Sequence, residues 1–422
     1  MKRFGIFPIA SLIAVVVLSA CSGIASVEED IPAAKYGPQY TQQEHQQQTF
    51  DALWANLTEN YIYADSAKVD WDTLYSEYSA RIKEGLTNDQ FNELMDELVG
   101  DLPAGALSYQ SRKQRVEADA ASGDVDTYEG IGAFIGFQAE EEPHVVILGV
   151  IEGSPAEDAG IKPHDSIYAI DGNPVLLEEG INVVERIRGP AGSSVQLNVQ
   201  TPGSPRRTID VTRAQLISAG KVEAKVITDT SYGYILFPPI GYDGMVDDVL
   251  NNLDAFTTNR ELKGLILDLR VAGSARGWPL EELLTLFHKG NAGEFYNSAE
   301  QQQTVTVEGQ DLYTSQSVPL IILVGEHTSG FPEIFAASLQ AGKRATIIGE
   351  ATPGDIETTT SFYLPDGSRV FIETISFRLP NGAEPGNTGV QPDIKLDQGW
   401  DDVQLDNDPI INQAVELLGR DK

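Results

Sequence analysis

The sequence holds one cysteine, Cys21, in 422 residues. No intramolecular disulfide is open to it, so stability has to come from packing. Basic side chains are scarce: 29 Lys and Arg stand against 63 Asp and Glu, a formal net charge of −34. A surface of that sign repels phosphate backbones and argues against nucleic-acid binding. The five histidines, His45, His144, His164, His288 and His327, show no paired spacing with Cys, Asp or Glu. With no His-Glu-x-x-His either, the sequence predicts neither a metal nor a cofactor. The Gly130/Gly132/Gly136 spacing lacks the βα pattern of a dinucleotide fingerprint. The apolar run Phe4 to Leu18 is too short to span a bilayer comfortably and carries Pro8. No internal repeat is present. What remains is a chain with 41% hydrophobic residues, long enough for two or three domains with a sizeable core.

The basic start Met1-Lys2-Arg3 followed by that apolar run reads as a secretory signal. Leu18-Ser19-Ala20-Cys21 closes it and resembles the lipobox of bacterial lipoproteins. The resemblance implies diacylation of the Cys21 thiol, and two acyl chains make a stable membrane anchor. An ordinary cleaved signal with an incidental cysteine is the alternative. Ser22 follows where no Asp stands, which by analogy with Gram-negative lipoproteins favours the outer membrane, on its periplasmic side.

Residues 22–48 are polar and aperiodic and read as a tether. Phe50, Leu53, Trp54 and Leu57 then share a helical face, and Thr87 with Gln90 caps a second helix burying Phe91, Leu94, Met95 and Leu98. Residues 49–116 are thus a helical N-terminal region. From 128 to 214 short alternating runs, Val145 to Val150, Ser166 to Ile170 and Val195 to Val199, predict a compact β-rich module interrupted by one helix near Ile181 to Ile187. From 215 to 422 the rhythm is α/β, with continuous apolar strands at Leu265 to Leu269 and Leu320 to Val324. Thr358 to Leu364 and Val370 to Ile375 read as a hairpin around Pro365-Asp366-Gly367.

Gly130-Ile131-Gly132-Ala133 precedes a strand, and glycine-flanked amides there can form an anion-binding nest beside a strand edge. A plain turn would explain the tetrapeptide equally well. Downstream come Gly153-Ser154-Pro155-Ala156, Ala159-Gly160-Ile161-Lys162-Pro163, Asp165 and Ile170-Asp171-Gly172. In this order they resemble a PDZ domain of bacterial envelope proteases. The resemblance implies capture of a polypeptide C-terminus, its carboxylate held by Gly130, Ile131, Gly132 and Ala133. His164 departs from the pattern, which usually has glycine there, and reads as a surface turn residue.

Lys263 to Arg270, Glu333-Ile334-Phe335-Ala336-Ala337, Arg344 to Glu350, Pro365-Asp366-Gly367 and Gly389-Val390-Gln391-Pro392-Asp393 follow in order. Flanking a PDZ-like module, they resemble the C-terminal processing peptidases of family S41. The resemblance implies a serine–lysine dyad in which a neutral lysine takes the proton of an attacking serine. The serine position, three residues before Glu333, holds Gly330; the lysine position, twenty-five residues on, holds Asp355. An assisting acid falls at Ala341. The oxyanion run becomes Val271-Ala272-Gly273-Ser274. The framework is kept and its reactive groups are gone, which is the pattern of a pseudo-peptidase. The alternative nucleophile is Ser329, with His327 and Glu326 close in sequence; a helix or turn cap is the commoner use of such a serine. Trp278 and His288 read as helix-surface or core-edge residues, and Lys343 as solvated.

The expected protein is therefore α/β in class (multidomain α+β). It has an S41 peptidase-like α/β domain, an inserted PDZ-like β-rich module and a helical N-terminal region, behind a signal peptide over residues 1–21. The expected function is a lipid-anchored envelope adaptor that binds polypeptide C-termini or unfolded segments. An active endopeptidase using Ser329 and a scaffold for envelope assembly are the alternatives.

Overall fold

Thr41 caps the first helix, α1 (Gln42–Asn60), in a reciprocal box with Glu44. A computed structural model of the chain describes residues 40–121, 127–217, 220–258, 261–273, 277–403 and 407–420. The leader, Cys21 and residues 22–39 of the expected tether lie outside the described residues, as does Ser274. The last part of that tether is helix. Glutamine is a good helix former, and Gln42, Gln43 and Gln46 donate to the carbonyls of Leu86 and Lys83. Polar composition concealed a helix whose glutamines bond the end of a neighbouring helix and the loop after it.

Helices α2 (Trp71–Lys83) and α3 (Asn88–Asp101) follow, α3 carrying the Thr87–Gln90 box read from sequence. A short strand β1 (Ser108–Gln110) leads into α4 (Arg112–Ala121), which extends past the expected end of the region. Phe50, Leu53, Leu57, Phe91 and Leu94 pack in one cluster with Val370 and Ile372. The helical region is thus sealed onto the far end of the chain.

The module opens with β2 (Thr127–Gly130), β3 (Ala133–Gln138), β4 (His144–Val150) and the single turn α5 (Pro155–Asp158). It continues with β5 (Ser166–Ile170), β6 (Asn173–Pro174), a 3₁₀ stretch Leu177–Val183 and α6 (Val184–Ile187). Strands β7 (Ser194–Gln200), β8 (Arg207–Thr212) and β9 (Ala214–Ile217) complete it. The sheet order is β3-β4-β5-β7-β8, so β3 is an edge strand, while β2 and β9 pair where the chain enters and leaves.

The α/β domain begins with β10 (Glu223–Val226), β11 (Tyr232–Leu236), α7 (Met245–Thr257), β12 (Gly264–Asp268) and α8 (Leu280–Phe287). Next come β13 (Gly290–Asn297), β14 (Gln302–Val307), β15 (Leu320–Val324), α9 (Phe331–Ala341) and β16 (Thr346–Gly349). The hairpin β17 (Thr358–Tyr363) and β18 (Arg369–Arg378), then β19 (Ile394–Lys395) and α10 (Pro409–Arg420), end the chain. One sheet runs β10-β11-β12-β15-β16-β19 and is parallel from β11 onward. The wholly apolar run of β15 and the Gly-Leu-Ile-Leu-Asp of β12 are buried throughout, as a strand covered on both faces requires. The second sheet, β1-β18-β13-β14 with β17 on β18, mixes strands from both ends of the chain.

Three expectations about single residues change. Trp278 and His288 are buried, Trp278 in the main core between Phe237 and Phe335. His164 does adopt the left-handed turn, at φ 74°. It is buried, however, and stacks on Trp400 with ring centroids 3.8 Å apart. A residue 236 positions further along the chain covers a turn that the local sequence placed at the surface.

Candidate functional site

Two places in the fold gather the residues singled out above: the turn between β15 and α9, and the groove beside β3. The first lies at the C-terminal ends of the parallel strands, where open α/β sheets place their sites. The buried Thr328 ties the turn down, its Oγ1 donating to the Leu269 carbonyl at 2.8 Å and accepting from the Gly325 amide at 3.0 Å. Gly330 follows at φ 69° and ψ −130°, directly before the helix. This is a sharp strand-to-helix turn of the kind that presents a nucleophile. Its backbone is strained for any residue with a Cβ, and glycine relieves the strain.

Glu333, fully buried on the first turn of α9, joins Gly330 to the Gly354-Asp355 segment. Its Oε2 accepts from the Gly330 amide at 3.1 Å, and its Oε1 accepts from the Gly354 amide at 2.7 Å. One carboxylate therefore brings Gly330 and the Gly354-Asp355 segment together at the same end of the helix. Burial pushes the Glu333 carboxyl up to about 7. Hydrogen bonds from Thr352, Gly354 and Gly330 oppose that rise, and the nearby Asp355 charge adds to it.

Asp355 is exposed and stands among further carboxylates. Glu373 is also pushed up to about 7, by burial first and then by the charges of Glu357 and Asp355. Tyr63 donates its hydroxyl to Glu357, and Ser376 hydrogen-bonds the same carboxylate at 3.1 Å. Among the described residues no Lys or Arg forms an ion pair with Asp355, Glu357 or Glu373. The local charge is opposite to that of a lysine. Glu357 and Glu373 were not singled out from sequence; the strand alternation of β18 hides a half-buried acid.

Ala341 is the last residue of α9, eleven residues on. At 1.5 Å per residue this lies about 16 Å along the axis, so the helix carries that position away from the turn. Two amides of the oxyanion run are engaged. Gly273 donates its amide to the Pro239 carbonyl at 3.1 Å, and Ala272 donates its amide to the Leu269 carbonyl at 2.9 Å.

Ser329 is half-buried, and its amide donates to the Ala272 carbonyl at 3.0 Å. Its Oγ lies against Gly273, 3.3 Å from where a Cβ there would sit. The expected cap does not form: the N-cap is Gly330, and Glu333 satisfies its amide instead. His327 turns toward the module, its Cε1 2.7 Å from the position of a Cβ on Gly136, and its Nε2 has no hydrogen-bond partner. Burial holds its pKa down. Glu326 accepts from Gln138 of β3. His327 and Glu326 thus serve the domain seam while Ser329 packs within the α/β domain, with no Ser329–His327 hydrogen bond among the described residues. Lys343 is exposed, as expected.

The second place is a groove of about 840 Å³ between β3 and the helical stretch 177–187. Gly130, Ile131, Gly132 and Ala133 line one end with Tyr128 and Arg188, while Ile135, Ile181, Val184 and Ile187 make an apolar wall. Tyr242 and Asp243 of the α/β domain close the far side. Gly132 has φ 86°, and a Cβ there would overlap the Ser154 side chain. Its carbonyl accepts from the Ile151 amide at 2.9 Å and from Ser154 Oγ at 3.2 Å. The edge of β3, unpaired within the sheet, borders the apolar wall. Such an edge can take an extended peptide as an added strand.

Residues 231–396 match peptidase family S41, residues 146–201 match a PDZ domain and residues 42–100 match the tricorn protease C1 domain. The chain is similar to the carboxyl-terminal-processing protease of Picosynechococcus sp., at 30% identity over 311 residues, 68% of this chain and 70% of the relative. The corresponding protease of Synechocystis sp. is 29% identical over 306 residues, 68% of each chain. A carboxy-terminal processing protease of Bacillus subtilis is 26% identical over 276 residues, covering 64% of this chain and only 56% of that protein's length. In fold it resembles the photosystem II D1 C-terminal processing protease, with TM-score 0.62 and 22% identity over 85% of this chain and 94% of that one. Mature CPAF aligns with TM-score 0.52 and 12% identity over 89% and 96%.

Proposed function

Because this chain belongs to peptidase family S41, among relatives of the carboxyl-terminal-processing proteases, we propose that it captures polypeptide C-termini or unfolded segments in its PDZ groove without cutting them. The observation that carries the proposal is the Glu333 bridge. It gathers the Gly330 turn and the Gly354-Asp355 segment into one place. A glycine and an aspartate then stand where the family resemblance puts a nucleophile and its base. Gly330 has no atom to attack with. Asp355, with Glu357 and Glu373 close by, disfavours the negative charge of a tetrahedral intermediate. The amides of Ala272 and Gly273 are already spent on internal carbonyls. The groove beside β3 keeps its apolar wall and its glycine loop.

The capture site is the loop Gly130 to Ala133 with the β3 edge. Lipidation of Cys21 would hold the protein on the bacterial envelope, on the periplasmic face of the outer membrane in a Gram-negative cell. Casein incubation tests the first half of the reading. The parent protein should leave casein intact, and Gly330→Ser/Asp355→Lys should gain measurable cleavage. Cleavage by the parent that Ser329→Ala abolishes would make it a working peptidase with a shifted nucleophile. Calorimetry with paired free-acid and amide peptides tests the second half: equal affinities for the two forms would remove carboxylate capture.

A further inference from the structure

The PDZ domain meets the α/β domain through groups drawn from three of its strands. The 3₁₀ turn Trp400–Asp402, between β19 and α10, is the centre of the contact. Trp400 is buried, and its indole donates to the Ile147 carbonyl of β4 at 2.9 Å. His164 stacks on the indole and its Nδ1 donates to the Trp400 carbonyl at 2.6 Å. Arg270 of the α/β core lies over the same indole at 5.1 Å. That guanidinium is pinned by Asp268 and Asp408, each at 2.6 Å. Asp401 next door accepts from His144 Nε2 at 2.6 Å and from Ser166 Oγ at 2.7 Å. Around these polar groups Val146 and Leu148 of β4 pack with Val271 and Trp400 in an apolar cluster of their own. On the site side, Gln138 donates to Glu326 and Gly136 packs on His327.

Domain interfaces within one chain are by default polar and mobile unless they are well packed and apolar. This one has an apolar core, and the polar contacts of Trp400, His164 and Asp401 across it are paired, so sliding or opening would expose apolar surface and break those bonds. His164, the one departure from the PDZ pattern, fills the contact: a glycine there would leave the indole without its stacking partner. We propose that His164, Trp400 and Asp401 lock the PDZ domain in one orientation, so that the peptide groove and the Gly330 turn form a single rigid surface. Peptide binding then leaves the angle between the domains unchanged. His164 is a positioning residue for the groove. This proposal does not rest on the capture reading above, since the lock is a property of the unliganded chain.

The test is the distance between spin labels on the whole chain with Cys21→Ser, which removes the one native thiol. Labels go on Ser194→Cys in the module and Asn251→Cys on α7, both exposed positions. The expected result is one narrow distance distribution, unchanged by a free-acid peptide ending in Leu-Ala-Ala, and broadened in His164→Gly and in Asp401→Asn. A broad distribution in the unaltered seam would overturn the lock. So would a shift on adding peptide, or variants as narrow as the parent. If His164→Gly does not fold, Asp401→Asn alone carries the comparison. A peptide that gives no heat in calorimetry counts against capture and leaves the comparison of parent and variants to decide the lock.

Discussion

Gly330 shows how much a single backbone conformation decides. Its φ of 69° with ψ −130° is a conformation that residues with a side chain rarely adopt, at a cost of about 1–3 kcal/mol. Gly330→Ser is therefore expected to lower stability by about that amount in chemical denaturation; an unchanged midpoint would mean that the turn relaxes. Glu373 argues in the other direction. Its carboxyl is raised above the unfolded value of 4.5, to about 7. A group raised in the fold stabilises fully below its unfolded pKa, and that stability is lost as pH rises through the folded value. The loss here runs from about pH 4.5 past 7, as a half-buried charge develops beside Glu357 and Asp355. Glu373→Gln should thus stabilise the protein at pH 8 and have little effect at pH 4. The gain is on the order of 1 kcal/mol, about 2–4 °C for a domain of this size. Equal effects at both pH values in thermal melts would contradict it.

At the level of elements, the groove depends on how one loop meets one turn. Gly132 packs against Ser154, the cap of α5, so the loop between β2 and β3 is seated on the turn after β4. Gly132→Ala adds a clash to a disfavoured φ. The expected cost is about 1–3 kcal/mol, with peptide affinity falling by more than the stability loss explains. A variant as tight as the parent in calorimetry would show that the loop is not part of the binding surface. The glutamine-rich start of α1 gives a second lesson. Its composition reads as a tether, yet Thr41 and Glu44 form a box of the same kind as Thr87 and Gln90. The cap was legible at Thr41 as it was at Thr87; the missing apolar stripe masked it.

Across the whole molecule, the seam couples two histidines of opposite behaviour. His144 places Nδ1 on the Glu142 carbonyl at 2.9 Å and Nε2 on Asp401 at 2.6 Å. Both nitrogens face acceptors, a geometry in which the protonated ring donates at both ends. Burial opposes that charge, but the bonds to Asp401 and Glu142, with Glu140 nearby, raise its pKa overall. Tyr168 packs on the ring, and Arg206 over Tyr168 is held by Glu142. Asp401, although burial works against its ionised form, is held below its usual value by His144 and Ser166. The His144 contribution is complete below about pH 6.5 and is lost as pH rises through its raised value. His164 has the reverse sign. Burial lowers its pKa, the Trp400 hydrogen bond and the charges of Asp408 and Asp268 oppose that, and Arg270 adds to it. Its contribution is complete above about pH 6.5 and is lost as pH falls through the lowered value. Asp401→Asn should therefore cost more stability at pH 6 than at pH 9, by denaturation at the two values. A cost independent of pH would mean that His144 is neutral in the fold.

The order of domains, the buried strands β12 and β15 and the helix caps were all written in local sequence. Each depends on residues near one another in the chain: a periodicity, a cap three residues from its partner, a motif of fixed spacing. The tertiary structure alone decided what required distant residues to meet. Glu333 joins Gly330 to Gly354, Glu357 and Glu373 meet behind Asp355, and Trp400 covers His164 across more than two hundred residues of chain. A turn histidine and a tryptophan 236 residues on carry no mutual signal in one dimension. Their partnership comes from the packing of one domain against another.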